Sequence, residues 1–148
     1  MVLARRNIVE NSGRLRPLSI VVAEDDDLLR IRLRTILMAL EAHVQEAIDG
    51  WEVMSLLLSA TQPVDLVISD LRLLRASGLE ALVSARAAGI DVPFLFIATS
   101  GSPAIHATAA RLGAAILHKP VIASELLTRV RQMCRPPGEA VCSGPGAA

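Results

Sequence analysis

Three acids, a hydroxyl and a lone ammonium stand at the ends of short apolar segments. Glu24 and Asp25 follow LSIVVA at 18–23, and Asp70 follows VDLVIS at 64–69. Thr99 and Ser100 follow PFLFIA at 93–98, while His118, Lys119 and Pro120 follow a short run at 115–117. Neighbouring carboxylates repel unless a hard cation joins them, and all-oxygen ligands with retained water suit Mg2+. A carboxylate beside such a cation and an ammonium can attack a phosphoryl group. That reaction needs positioning and charge neutralisation more than covalent help. Aspartate is a suitable acceptor, forming an acyl phosphate. Lys119 and a hydroxyl would then hold the phosphoryl oxygens. Lys119 is the one lysine beside fourteen arginines, and its compact point charge is not reproduced by a guanidinium fork.

These residues meet only if the chain folds to bring the segment ends together. The apolar runs at 18–23, 64–69 and 93–98 suit strands buried on both faces, with weaker strands at 42–47 and 115–117. Helical patterns lie between them at about 27–40, 51–60, 78–88, 103–112 and 123–133. In the first, Leu29, Leu33, Ile36, Leu37 and Leu40 make one stripe. Asp26 and Asp27 suit the positive end of its dipole, and Ser102-Pro103 is an N-cap with a first-turn proline. Five such β–α units predict an α/β fold, a five-stranded parallel doubly wound sheet with helices on both faces. Ligands of such sheets bind beyond the carboxyl ends of the strands, where the acids and Lys119 fall. The loop after the second strand (Ile48, Asp49, Gly50) has no comparable cluster.

Composition narrows the function classes. The chain has 148 residues, 52% hydrophobic and 20% charged, as one globular domain would. The longest apolar run, 92–98, is far short of the roughly 18 residues of a membrane span, so no membrane partner is expected. The net charge is zero, but residues 1–17 carry +3 and 18–133 carry −3. A mildly acidic body argues against nucleic-acid binding. Residues 1–17 read as a basic, frayed arm, 18–134 as the folded domain, and 135–148 (Pro/Gly-rich) as a disordered tail. Cys134 and Cys142 lie too near the end to staple the core, and a reducing, cytoplasmic compartment is expected. His43, His106 and His118 lack metal-ligand spacing. Trp51 reads as helix packing.

In order and spacing the chain resembles a two-component response-regulator receiver domain. The motifs are IVVAEDDDLLR (20–30), EAIDGWEV (46–53), DLVISDLRL (65–73) with Gly78 eight residues after Asp70, VPFLFIATSG (92–101), RLGA (111–114) and HKP (118–120). The resemblance implies a flavodoxin-like sheet of order 2-1-3-4-5. It implies transfer of a phosphoryl group from a histidine kinase or histidine phosphotransfer protein onto Asp70 with Mg2+. It also implies that the chain catalyses its own phosphorylation and dephosphorylation rather than turning over a conventional substrate. By position, Asp25 would bind Mg2+ directly, Glu24 through water, and Asp70 and the Arg72 carbonyl would complete the protein ligands. Lys119 would contact the phosphoryl group, and Lys119-Pro120 resembles the family's cis peptide. A homodimer through the helix 4–strand 5–helix 5 face and a downstream protein target fit the same family. The remaining residues hold no output domain, so a stand-alone receiver is expected.

The departures from the family pattern concern the output. Counting without gaps puts Ala98 at the switch hydroxyl position, and one extra strand residue puts Thr99 there. Thr99 is preferred because phosphoryl sensing needs a hydroxyl. The usual aromatic before the lysine is Ile116, the common proline after the acceptor is Leu74, and Arg72 replaces a smaller residue. Two rival readings stand beside the first. A phosphorylation-independent pseudo-receiver would use the fold as a binding module. A haloacid-dehalogenase-type phosphatase would need an aspartate where Arg72 stands.

Overall fold

Segments buried on both faces require helices above and below them, and the chain meets that requirement with one parallel sheet. The structure, a computed structural model, describes residues 8–9, 15–99 and 102–134. The 135–148 tail with Cys142, Ser100 and most of the 1–17 arm lie outside the described residues. The strands are β1 (Ser19–Ala23), β2 (His43–Ala47), β3 (Leu66–Asp70), β4 (Phe94–Ala98) and β5 (Ala114–His118). They are parallel and ordered β2-β1-β3-β4-β5. This is the expected 2-1-3-4-5 order. Every residue of β1, β3 and β4 is buried.

Strand alternation divides the core. Val21, Ala23, Val67, Phe94 and Phe96 face α2 (Gly50–Ser59), α3 (Gly78–Ala87) and α4 (Pro103–Arg111). Ile20, Val22, Leu66, Ile68, Leu95 and Ile97 face α1 (Asp27–Leu37) and α5 (Ala123–Met133). The predicted α1 stripe is seated as expected, with Leu33 and Leu37 fully buried. Only two phenylalanines fill the interior, 5.9 Å apart between ring centres, so the core is otherwise aliphatic.

Several boundaries differ from the sequence reading. The first helix stops at Leu37 and tightens into a 3-10 turn over Met38–Leu40, closed by Glu41 at φ 53°. Asp70 is the last residue of β3 rather than the first of a loop, because Leu71 N donates to Ile97 O (3.1 Å) and carries the ladder one step further. Trp51 is 65% exposed instead of packed, with the Arg75 guanidinium 5.8 Å over its ring. Within the basic arm, Ile8–Val9 pairs antiparallel with Leu15–Arg16. Arg16 then grips Asp65 with two bonds of 2.7 and 2.6 Å, and the same carboxylate accepts from Ser19 N. The arm is therefore anchored at its end by a bidentate pair.

Gly78 shows how closely α3 meets the end of β3. A Cβ there would lie 2.7 Å from Ser69 Oγ and 2.9 Å from the Phe96 ring, and would also strike the Asp70 backbone oxygen. Gly78→Ala is expected to cost about 1–3 kcal/mol by overpacking. Chemical denaturation checks this, and a variant as stable as the parent refutes the close approach.

Candidate functional site

The carboxyl ends of β1, β3 and β5 bring Glu24, Asp70 and Lys119 together. Strand pairing sets the alignment: Ala23 lies beside Ser69, Asp70 beside Ile97, and Ala98 beside His118. Lys119 N donates to Ala98 O (2.8 Å), carrying the ladder one step beyond β5, and the Lys119-Pro120 peptide is cis. Lys119 Nζ lies 2.6 Å from Asp70 Oδ2 and 3.9 Å from Glu24 Oε2. The other Asp70 oxygen accepts from Arg72 N at 2.8 Å. Both acceptor oxygens are thus held, one by charge and one by the loop backbone.

Glu24 is the most enclosed member, 1% exposed. Its Oε1 accepts from Asp26 N at 3.1 Å, but Oε2 has no hydrogen-bond partner among the described residues. Burial is the main cause that pushes its carboxyl from 4.5 up to about 7, against the opposing Asp26 N–H, and the Asp70 charge raises it further. Lys119 sits above its ordinary value. Burial is the largest single effect and opposes this, but Asp70, Glu24 and Asp25 together outweigh it. Asp25, half-buried, contributes to the field at the ammonium. Asp26 is the N-cap of α1, accepting from Leu28 N and Leu29 N. That makes it part of the helix start.

An orphaned buried carboxylate oxygen beside two further acids fits a hard divalent cation bound through oxygen. Among the described residues no three ligating side chains close around one point. A cation here would complete its shell with backbone carbonyl and water. Arg72 is exposed, and its carbonyl lies on the loop leaving Asp70.

The sheet ends at Ala98, which is 2% exposed, and Thr99 is the exposed residue just beyond. Sequence reasoning missed two supports. Asp49 is 2% exposed, caps α2 through Glu52 N (2.9 Å) and pairs with Arg75 at 2.7 Å. The Asp49 and Glu52 spacing is a capping-box signature that was there to be read. Arg30, off the apolar stripe of α1, donates to Glu24 O at 2.8 Å and pairs with Asp27 at 2.6 Å. Cys134 is a free thiol pushed up to about 12, chiefly by burial and further by the Asp65 charge.

The family model "Response regulator receiver domain" matches residues 20–131. The chain belongs to the response-regulator receiver family. It is 33% identical over 120 residues to the response regulator MprA of Mycolicibacterium vanbaalenii, covering 80% of this chain and 51% of that protein. It spans about half the length of the curated relatives it matches. Its fold is similar to a CheY-like receiver from Methanospirillum hungatei (TM-score 0.72, 20% identity, 79% and 93% of the two chains). It is also similar to the Saccharomyces cerevisiae Ssk1 receiver crystallised with the histidine phosphotransfer protein Ypd1 (TM-score 0.69, 20% identity, 80% and 89%). The chain is thus a receiver domain of two-component signalling. Among the described residues no helix is long and apolar enough to cross a membrane.

The buried Glu24 sets a pH signature for this receiver in metal-free buffer. Its folded-state value lies above its ordinary one, so the native state holds the proton more tightly. Stability from this group is therefore lost as pH rises from 4.5 to about 7. Glu24→Gln lacks the titration. The variant should match wild type at low pH and exceed it by roughly 3 kcal/mol or less above pH 7. Parallel urea melts in EDTA check this. A constant gap between the two across that window would refute it.

Proposed function

We propose that this receiver accepts a phosphoryl group on Asp70 from a phosphohistidine donor, with Mg2+ bound by Asp25, Asp70 and the Arg72 carbonyl, and by Glu24 through water. The observation that carries the reading is the Asp70–Lys119 contact of 2.6 Å beside a buried Glu24 oxygen that has no hydrogen bond among the described residues. In the transfer, an Asp70 carboxylate oxygen bonds to phosphorus and the P–N bond to the donor imidazole breaks. The leaving imidazole keeps its electron pair and takes a proton. Loss of the group is the same displacement at phosphorus with water as nucleophile, returning inorganic phosphate.

Mg2+, when bound, neutralises charge on the transferring group. The chain's own residues do the rest. The Arg72 N–H orients Asp70, so that one carboxylate oxygen is fixed by the loop and the other faces the donor. Lys119 moves its contact from the Asp70 oxygen to a phosphoryl oxygen as negative charge arrives. Thr99 supplies the hydroxyl that registers the phosphoryl group from the neighbouring loop. The exposed Arg72 side chain stands beside the acceptor, where its length limits water access and lengthens the life of the acyl phosphate.

The partners follow from the same reading. Leu28 (80% exposed), Leu74 (86%) and Ile122 (49%) lie on the segments that carry Asp25, Arg72 and Lys119. Exposed apolar side chains on the segments that carry a charged centre suit a protein donor, a histidine kinase or a histidine phosphotransfer protein. The likeness to a receiver crystallised with such a phosphotransfer protein supports this. A cytoplasmic site of action, a downstream protein target and a phosphorylation-dependent homodimer through α4, β5 and α5 belong to the same proposal. Buried Ala98 at the strand end favours one rival, a phosphorylation-independent binding module.

Intact mass after incubation with acetyl phosphate and Mg2+ tests the reading. One phosphoryl adduct is expected on wild type and none on Asp70→Asn. Absence of an adduct from acetyl phosphate and from a phosphorylated phosphotransfer protein alike would leave the binding module standing. By linkage, millimolar Mg2+ should also raise the melting temperature of wild type and raise that of Asp25→Asn less. An equal rise in both would remove Asp25 from the ligand set. Sedimentation equilibrium that gives one mass with and without phosphorylation would exclude the homodimer.

A further inference from the structure

His106 and His118 are twelve residues apart, with no motif joining them. The fold nevertheless sets their rings against each other, 5.7 Å between centres and tilted by 40°. The cause is strand alternation. His118 closes β5 on the same face as Ala114 and Ile116, the face covered by α4, whose Ile105 and Ala109 pack into that side of the core. His106 follows Ile105 by one residue and lies beside the strand end.

The pair has chemistry that packing alone leaves unused. His106 Nε2 is shut off from solvent and has no hydrogen-bond partner among the described residues. A buried ring nitrogen without a partner costs free energy that a bonded one does not. His118 is exposed at its strand end, so the second imidazole is reachable from solution. Lys119 follows directly in the chain, but its ammonium is engaged with Asp70 and leaves the two rings to each other.

We infer that His106 and His118 form a two-imidazole site for a borderline transition cation such as Zn2+, separate from the carboxylate site and independent of the proposed phosphorylation. With Zn–N bonds of about 2.0–2.1 Å, two imidazoles on one ion place their ring centres roughly 5–6 Å apart. The observed 5.7 Å falls inside that span. Imidazole nitrogen selects Zn2+, Ni2+ and Cu2+, whereas the oxygen set of Glu24, Asp25 and Asp70 suits Mg2+. No third ligating side chain joins the pair among the described residues, so water from the exposed His118 side would fill the open positions. An ion held here ties α4 to the strand that runs into Lys119.

Calorimetric titration of the metal-free protein with Zn2+, in saturating Mg2+ to occupy the carboxylates, tests the site. One ion per chain is expected. The affinity should fall at least tenfold in His106→Gln and in His118→Gln and stay unchanged in His43→Gln. The exposed side chain of His118 makes its variant the safer one to fold, and circular dichroism without metal checks both. In wild type alone, Zn2+ should raise the melting temperature, and Cu2+ should bind more tightly than Zn2+. Binding that survives His118→Gln, or no binding to wild type in saturating Mg2+, overturns the proposal.

Discussion

The ion pair between Asp70 and Lys119 is the contact around which the carboxyl edge of the sheet is organised. Its partners lie 49 residues apart and are joined only through the tertiary fold. Without the ammonium, Glu24, Asp25 and Asp70 would stand as uncompensated negative charges at the mouth of an apolar sheet. One of them, Glu24, is almost fully buried. Removing one member of a buried pair leaves the other charge desolvated, which typically costs several kcal/mol. The geometry of the edge therefore rests on where β5 ends, because that alone decides where Lys119 starts. The bond from Lys119 N to Ala98 O makes the end of β4 the reference point for that start.

A second constraint holds the loop after Asp70 from the other side. Gly50 N donates to Ala76 O at 2.7 Å, and a Cβ at Gly50 would lie 2.6 Å from that oxygen. The loop carrying Arg72 and Leu74 is thus pressed onto the start of α2. Asp49, buried beneath, draws Arg75 of the same loop into an ion pair, and Arg75 in turn covers Trp51. One close backbone approach and one charge pair seat the loop against the start of α2. The Arg72 N–H that bonds Asp70 lies on the loop so seated.

Much of this was legible in the residue order. Fully buried strands must be apolar throughout, so β1, β3 and β4 announced themselves, and parallel pairing followed from the helices between them. Residues that follow such strands fall on one edge for topological reasons alone, which is why Glu24, Asp70 and Lys119 could be placed together. What could not be read depends on contacts between distant segments. Trp51 looked like a packing residue because its partner, Arg75, lies in another loop. The two histidines had no shared spacing because α4 and β5 bring them together in space. The anchoring of Arg16 likewise needed Asp65, the residue just before β3. Ala98 and Thr99 differ by one residue at a strand end, and alternation places successive residues on opposite faces, so a one-residue question is also a question of side.

The choice of basic residues follows the same physics. The arginines work as struts. Arg16 clamps Asp65, Arg30 holds Glu24 O, Arg32 reaches Val121 O at 2.7 Å, and Arg86 ties Leu112 O to Ile90 O. Arg16 and Arg86 use two donors of a planar fork to fix one segment against another, a rigidity that suits a scaffold. A guanidinium at 119 would match the Asp70 carboxylate with two parallel bonds and hold it shut. An ammonium has three donors on a rotatable stem, and only one Asp70 oxygen lies at bonding distance. The remaining donors can turn to a new oxygen without the first contact having to break in advance. On the proposed phosphoryl transfer, a site that compensates three acids at rest and then follows an added negative charge favours that mobility. On that proposal, the single lysine stands where a fixed fork would work against the transfer.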